Sequence, residues 1–202
     1  MEHPQMPAQR QVPLGVNTIP TVYWVRRYLE GFALHRYDAY APNGSDIGVG
    51  FFDGGHLIVV AFDETALHFS SKGFTTNYGG SVPAQMTNGK TCRELTEAHA
   101  AAIGEGVDCA AGYCLAYQAS GDIQRNWALP GIREWLAINK HVTEINKALQ
   151  KNGSTIIDNG VYWTANTYRG SAVFYSNSYA TVIDWNSNNY SQTYKVRPVL
   201  TF

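Results

Sequence analysis

Apolar residues change their spacing along this chain, and the changes mark out its elements. Val22, Val25, Tyr28, Leu29 and Phe32 recur at three- and four-residue intervals, which predicts a helix over Thr21–Leu34. Strand is the alternative, because Val, Tyr and Trp suit it equally. An aromatic face on this element could also meet other copies of the chain in a homo-oligomer. After a Pro-Asn-Gly turn within Ala41–Ser45, Ile47–Phe52 and His56–Phe62 read as two strands joined through Asp53-Gly54-Gly55, a strong hairpin signal. Thr65–Ser70 adds a short strand, and Ser71–Lys90 is a long connection containing Gly and Asn.

Helical periods then take over. Thr91–Ile103 puts Leu95, Ala98 and Ala102 on one face, with Gly104 placed to stop the helix. Cys109–Gln118 predicts a second helix, broken at Gly121-Asp122. Pro130 suits the first turn of a third, which carries Ile132, Trp135, Leu136 and Ile138 inward. Beyond Asn139-Lys140 a further helix, His141–Lys151, presents Val142, Ile145, Ala148 and Leu149 as its buried stripe, and Gly153 supplies a left-handed cap.

The remainder reads as strands: Val161–Trp163 after a turn at Asp158-Asn159-Gly160, Ala172–Ser176, Ala180–Trp185 and Tyr194–Thr201. Pro198 inside the last of these places it at a sheet edge or a bulge. This C-terminal stretch is chemically unlike the rest. An apolar framework that includes Tyr162, Trp163, Val182, Trp185, Val196 and Val199 encloses a run dominated by Tyr, Asn, Ser and Thr. Between Thr164 and Tyr194 the ionic side chains are Arg169 and Asp184 alone, so the run is neither a solvated charged face nor a basic nucleic-acid tract.

Tyr offers a large amphipathic contact surface at low conformational cost, and Ser, Asn and Gly add adaptable hydrogen bonding, the mixture used by antibody paratopes. The candidate ligand-binding residues are therefore Asn166, Tyr168, Arg169, Ser171, Tyr175, Asn177, Tyr179, Asn186, Asn188, Asn189, Tyr190 and Tyr194. Turns and half-buried strands use the same residue types, which is the structural alternative. Arg169, beside Tyr168, is the candidate interface anchor, because Tyr and Arg are enriched at hot spots. Trp163 and Trp185 are assigned to the core.

Length and charge narrow the classes. The 202 residues fit one globular domain over 21–202 with an arm at 1–20 that is rich in Pro and Gln and lacks periodicity. A chain of this length buries roughly 70% of its unfolded surface and needs neither disulfides nor metal to fold. A formal net charge of -1 and a pI near 6.6 give no reason to expect nucleic acid or an anionic membrane as partner. No stretch is long and apolar enough for membrane insertion, and the first residues carry no signal-peptide pattern.

Cys92, Cys109 and Cys114 make an odd set without a Cys-x-x-Cys pair and read as small buried side chains. His56, beside the hairpin glycines, has no second ligand at metal spacing and reads as structural. No Gly-x-Ser-x-Gly elbow, His-Glu-x-x-His or phosphate-binding Gly-rich loop is present, so no catalytic residue, metal or cofactor is assigned and the chain is read as a non-enzyme.

The order WALPGIREWLAI, HVTEINKALQKNG, VYWTANTY and KVRPVLTF resembles bacterial C-type-lectin-fold domains of the DUF1566 or Lcl C-terminal kind, over roughly Cys92–Phe202. Within that group it is similar to the variable proteins of diversity-generating retroelements. In those, adenine-directed mutagenesis rewrites Asn-type codons near the C-terminus, and the resulting residues form the ligand-binding face. Such codons do not yield Glu, Lys, Gln, Met or Trp, and from Thr164 to Tyr194 only Trp185 and Gln192 belong to that set. Arg197 falls in the Val-Arg-Pro-Val framework of the resembling family, which implies a structural role. Calcium-dependent lectins supply Glu-Pro-Asn or Gln-Pro-Asp and Trp-Asn-Asp motifs; here Trp185-Asn186 lacks the following Asp, and both Pro motifs are missing.

The resemblance implies an α+β chain of C-type-lectin-like fold, with short antiparallel strands, three to four helices and a long loop-rich C-terminal β region. Its expected role is recognition of a protein or glycan through a diversified surface at 164–195, on a phage particle or a bacterial cell surface. A fixed-specificity adhesin or structural surface domain of the same fold is the alternative, and an enzyme with a site assembled from distant residues ranks below both.

Overall fold

The computed structural model describes residues 21–29, 31–71, 90–122, 126–158, 160–168, 171–172 and 190–202. The protein is α+β, built on antiparallel sheets with three α-helices among the described residues. The N-terminal arm, the body of the Ser71–Lys90 connection, Trp185 and most of the expected strands Ala172–Ser176 and Ala180–Trp185 lie outside them.

The main sheet has strand order β2-β1-β3-β4-β9, from β1 (Tyr23–Tyr28), β2 (Gly31–Arg36), β3 (Asp46–Asp53), β4 (His56–Ala61) and β9 (Val199–Thr201). The expected helix over Thr21–Leu34 is instead the hairpin β1–β2, paired from Tyr23↔Arg36 to Tyr28↔Gly31. Trp24 is buried with the residues on one face of the sheet and Val25 with those on the other. Burial on both faces fills the polar positions of a strand alternation, and the apolar residues that result happen to fall at helical intervals.

The β3–β4 hairpin forms as expected, with Asp53↔His56 closing a two-residue turn. Gly54 and Gly55 sit at φ 58° and 87°, the left-handed pair that a tight hairpin matching the strand twist requires. At the far edge β9 pairs with β4 and is continued by an isolated bridge between Val199 and Ala128. The sheet curls enough that Phe32 of β2 meets Phe202 just past β9, ring centroids 4.4 Å apart.

Pro198 divides the last expected strand. Before it, β8 (Thr193–Val196) pairs with β5 (Thr65–His68); after it, β9 joins the main sheet. A residue without an N–H is tolerated at this crossing between sheets, and its carbonyl accepts from the Ala61 N–H at 3.0 Å.

Helix α1 (Cys92–Ile103) starts in a full capping box: the Glu94 N–H donates to Thr91 Oγ1, and Glu94 accepts from the Thr91 N–H. Gly104, in left-handed conformation, ends it. Its buried face is Cys92, Leu95, Thr96 and His99; Ala98 is only half-buried and Ala102 is exposed, so two polar residues take the place expected for alanines. Helix α2 (Ala110–Ala116) follows a 3₁₀ turn at Gly106–Asp108. A Cβ on Gly112 would lie 1.6 Å from the Gly106 carbonyl oxygen, so only glycine fits where helix and turn touch.

Helix α3 (Ile132–Lys151) runs unbroken through Asn139-Lys140, where the sequence reading divides it. Neither residue breaks a helix, and the buried stripe Trp135, Ile138, Ile145, Ala148 and Leu149 continues across the junction. Pro130 lies just outside the helix, before the N-cap Gly131. Gly153, at φ 75°, turns the chain out.

These elements enclose three buried clusters. Helix α3 packs on one face of the main sheet through Trp24, Phe51 and Trp135; Tyr117, Trp127 and Leu200 lie on the opposite face; α1, α2 and both flanks of the Tyr/Asn/Ser-rich run share a third around Phe69, Leu95 and Trp163. The three cysteines are free and buried.

Candidate functional site

The Tyr/Asn/Ser-rich run leaves and rejoins the framework at neighbouring places. On the outgoing side Tyr162, Trp163, Thr164, Ala165 and Asn166 are all buried. Tyr162 forms a parallel bridge with Lys195 of the returning side: the Trp163 N–H donates to the Lys195 carbonyl at 2.9 Å, and the Lys195 N–H donates to the Val161 carbonyl at 3.0 Å. The Trp163 indole N–H donates to the Leu67 carbonyl at 2.7 Å, and its ring lies 4.8 Å from that of Tyr194 and 5.2 Å from that of Phe69. One tryptophan thus packs against β5 and β8 together.

On the returning side the Tyr190 carbonyl accepts from the Phe69 and Ser70 N–H groups at 2.9 and 3.1 Å, and its ring is buried beside Phe69. Tyr194 is half-buried against Trp163. Between the anchors, Thr167–Tyr168 (β6) and Ser171–Ala172 (β7) pair as a two-stranded ladder with Tyr168 opposite Ser171. Arg169, Tyr175, Asn177, Tyr179, Asn186, Asn188 and Asn189 lie outside the described residues.

Asn166 and Tyr190 therefore belong to the buried framework at the base of the run. The Asn166 side-chain oxygen accepts from the Ile132 N–H at 2.8 Å and caps α3. Because Asn166 reaches that N–H from far along the chain, a cap and a contact residue are indistinguishable in sequence.

Two further anchors were not legible in sequence because they are polar residues inside a helix. Thr96 Oγ1 donates to the Cys92 carbonyl at 2.6 Å and accepts from the Leu129 N–H at 3.0 Å. His99 Nε2 lies 2.6 Å from the Ala165 carbonyl oxygen, which assigns that nitrogen the proton. Burial holds the His99 imidazole neutral, with its pKa lowered to about 4, and the Ala165 carbonyl only partly offsets this.

A histidine whose folded pKa is depressed supports stability that is full above the unfolded value of about 6.5 and is lost as pH falls towards 4. Urea unfolding is expected to lose on the order of 3 kcal/mol over that interval from His99. His141, also lowered by burial, adds to the slope. His99→Gln keeps a donor for Ala165 and is expected to flatten most of the decline; an unchanged pH profile would refute the assignment.

A carboxylate hub closes the other side. Glu105 accepts from the Ser71 N–H at 3.0 Å, from the hydroxyls of Ser70 and Ser71 at 3.2 and 2.9 Å, and meets His68 Nε2 at 2.7 Å. Burial opposes its charge, but these donors together outweigh it and hold the carboxyl below the usual range. The serine hydroxyls thus donate to a carboxylate and not to a histidine base. Elsewhere the Cys92 thiol donates to Glu134 at 2.9 Å, and burial together with that carboxylate raises its pKa well above the ordinary thiol value. Neither cluster holds an activated nucleophile.

Behind the framework Arg197 is fully buried. Its guanidinium donates to the carbonyls of Ala61, Phe62 and Thr155 and, through two nitrogens, to Glu64. Lys195 joins the same cluster, 3.3 Å from Glu64 and 2.5 Å from Asp158. Among the described residues no group of three or more His, Cys, Asp or Glu side chains converges as a metal site, and no helix is long and apolar enough to cross a membrane. Compared with protein-family models, curated proteins and solved structures, the chain matches none.

Proposed function

We propose that this chain is a recognition protein of C-type-lectin-like fold whose Tyr/Asn/Ser-rich run, diversified by a retroelement, binds a protein or glycan on behalf of a phage particle or bacterial surface. The observation that carries the reading is the double anchoring of that run. Its two flanks are tied to each other through Tyr162–Lys195 and share Trp163 as a common support. A framework closed in this way tolerates replacement of the residues between its anchors, as a diversified site demands. Binding is by contact without chemistry, at affinities of roughly 10⁻⁷ to 10⁻¹⁰ M.

The gene itself supplies the test. The reading expects a second copy of the last codons nearby, matching except at adenines, with substitutions at the codons for Tyr168, Asn177 and Asn188 and none at the buried Asn166 and Tyr190, beside a reverse-transcriptase gene. Without such a copy the run is a fixed-specificity surface. At the protein level, joint replacement of Tyr175, Asn177, Tyr179, Asn188 and Asn189 with alanine is expected to abolish capture of a partner selected from a glycan and protein array. The unfolding free energy of that variant should stay within about 0.5 kcal/mol of the parent. A loss of stability on the scale of a core mutation would remove these residues from the contact surface.

A further inference from the structure

Helices α1 and α3 begin side by side over the β4–β9 edge of the main sheet and leave between them a cavity of about 640 Å³. Its volume is within the range of roughly 300–1,000 Å³ that small-molecule sites occupy. The sheet lines it with Ile58, Val199 and Thr201, and the ribbon beside β9 adds Ala128, so this part of the wall is largely apolar. The charged groups come from the helix starts, Lys90 and Arg93 on one side and Arg133 and Glu134 on the other, and from Asp53 at the hairpin turn.

The balance of those charges sets the class of ligand. Asp53 is paired with Lys140 at 2.8 Å, and Glu134 is occupied by the Cys92 thiol and the Gly131 N–H, so both carboxylates at the cavity are already engaged. Arg93 is paired with Glu97 and donates to the Trp127 carbonyl. Arg133 is exposed and has no ion-pair or hydrogen-bond partner among the described residues. The positive ends of two helix dipoles add to its field. An apolar wall with an uncompensated guanidinium at its mouth suits an anion that carries an apolar body.

We propose that this cavity is a binding site for a small organic anion with an aromatic or branched apolar portion. The anionic group pairs with Arg133, and the apolar portion lies against Ile58, Val199 and Ala128. The site is independent of the reading given to residues 167–189 and would persist whatever that run binds.

Fluorescence titration of the full chain with 1-anilinonaphthalene-8-sulfonate tests the proposal, with N-phenyl-1-naphthylamine, the same molecule without its sulfonate, as the neutral control. The sulfonate is expected to bind saturably at one site per chain, at least tenfold more tightly than the control. Arg133→Glu, which puts an acidic residue in the first turn of α3 and so preserves the fold, is expected to erase that tenfold preference. Thr201→Trp, at an exposed position on the cavity wall, is expected to block both probes while the thermal midpoint stays that of the parent. No saturable binding overturns the proposal. So does equal sulfonate affinity in the parent and Arg133→Glu, or binding that survives Thr201→Trp.

Discussion

Replacing Arg197 with methionine is expected to lower the unfolding free energy by about 3–5 kcal/mol, the range for removing one partner of a buried ion pair. The guanidinium is fully buried and joins the end of β4, the residue after it and the chain after α3 through the carbonyls of Ala61, Phe62 and Thr155, while gripping Glu64 with two nitrogens. Methionine fills much of the volume but leaves those carbonyls without their donor, and among the described residues Glu64 keeps Lys195, at 3.3 Å. Arg197→Lys is expected to fall between parent and Arg197→Met, because an ammonium keeps the charge and loses the two-pronged geometry. Urea denaturation of the three proteins at neutral pH measures the order. A methionine variant within 1 kcal/mol of the parent would mean the network contributes geometry without net stability.

Trp163→Ala is expected to cost about 3–5 kcal/mol as well, from lost burial and the cavity left behind. Its particular consequence is local. Trp163 is fully buried, and it touches Phe69 and Tyr194 while donating to Leu67, so its loss frees both flanks of the Tyr/Asn/Ser-rich run at once. Hydrogen exchange is the sharper readout. The Lys195 amide, which donates to the Val161 carbonyl, is expected to exchange faster by more than the global destabilisation accounts for. Trp163→Phe retains most of the packing and loses one hydrogen bond, for about 1–2 kcal/mol. Exchange that rises uniformly over the chain would show that the tryptophan supports the core generally and not the two flanks in particular.

The legibility of the fold varied with the kind of signal. The Gly54-Gly55 hairpin and the stop at Gly104 were readable because each rests on chemistry within a few residues. The register of α1 was misjudged for the opposite reason. Thr96 and His99 are buried only because the Leu129 N–H and the Ala165 carbonyl, far away in the chain, provide partners for them. Asn166 was read as a ligand-binding residue, yet it is buried, and accepting from the Ile132 N–H makes it a cap for a helix more than thirty residues earlier.

By itself the sequence determined which segments turn, where two helices stop and that its C-terminal run is poor in charge and rich in Tyr, Asn, Ser and Thr. Those properties are local, set by backbone preference and side-chain chemistry. Tertiary structure alone decided that Thr21–Leu34 is a hairpin, since cover on both faces of a sheet erases the alternation that would have announced it. It alone split the last strand between two sheets at Pro198, because pairing partners are chosen in space. And it alone joined Tyr162 to Lys195 across the run between them and set the beginnings of α1 and α3 around one cavity, juxtapositions that no spacing along the chain encodes.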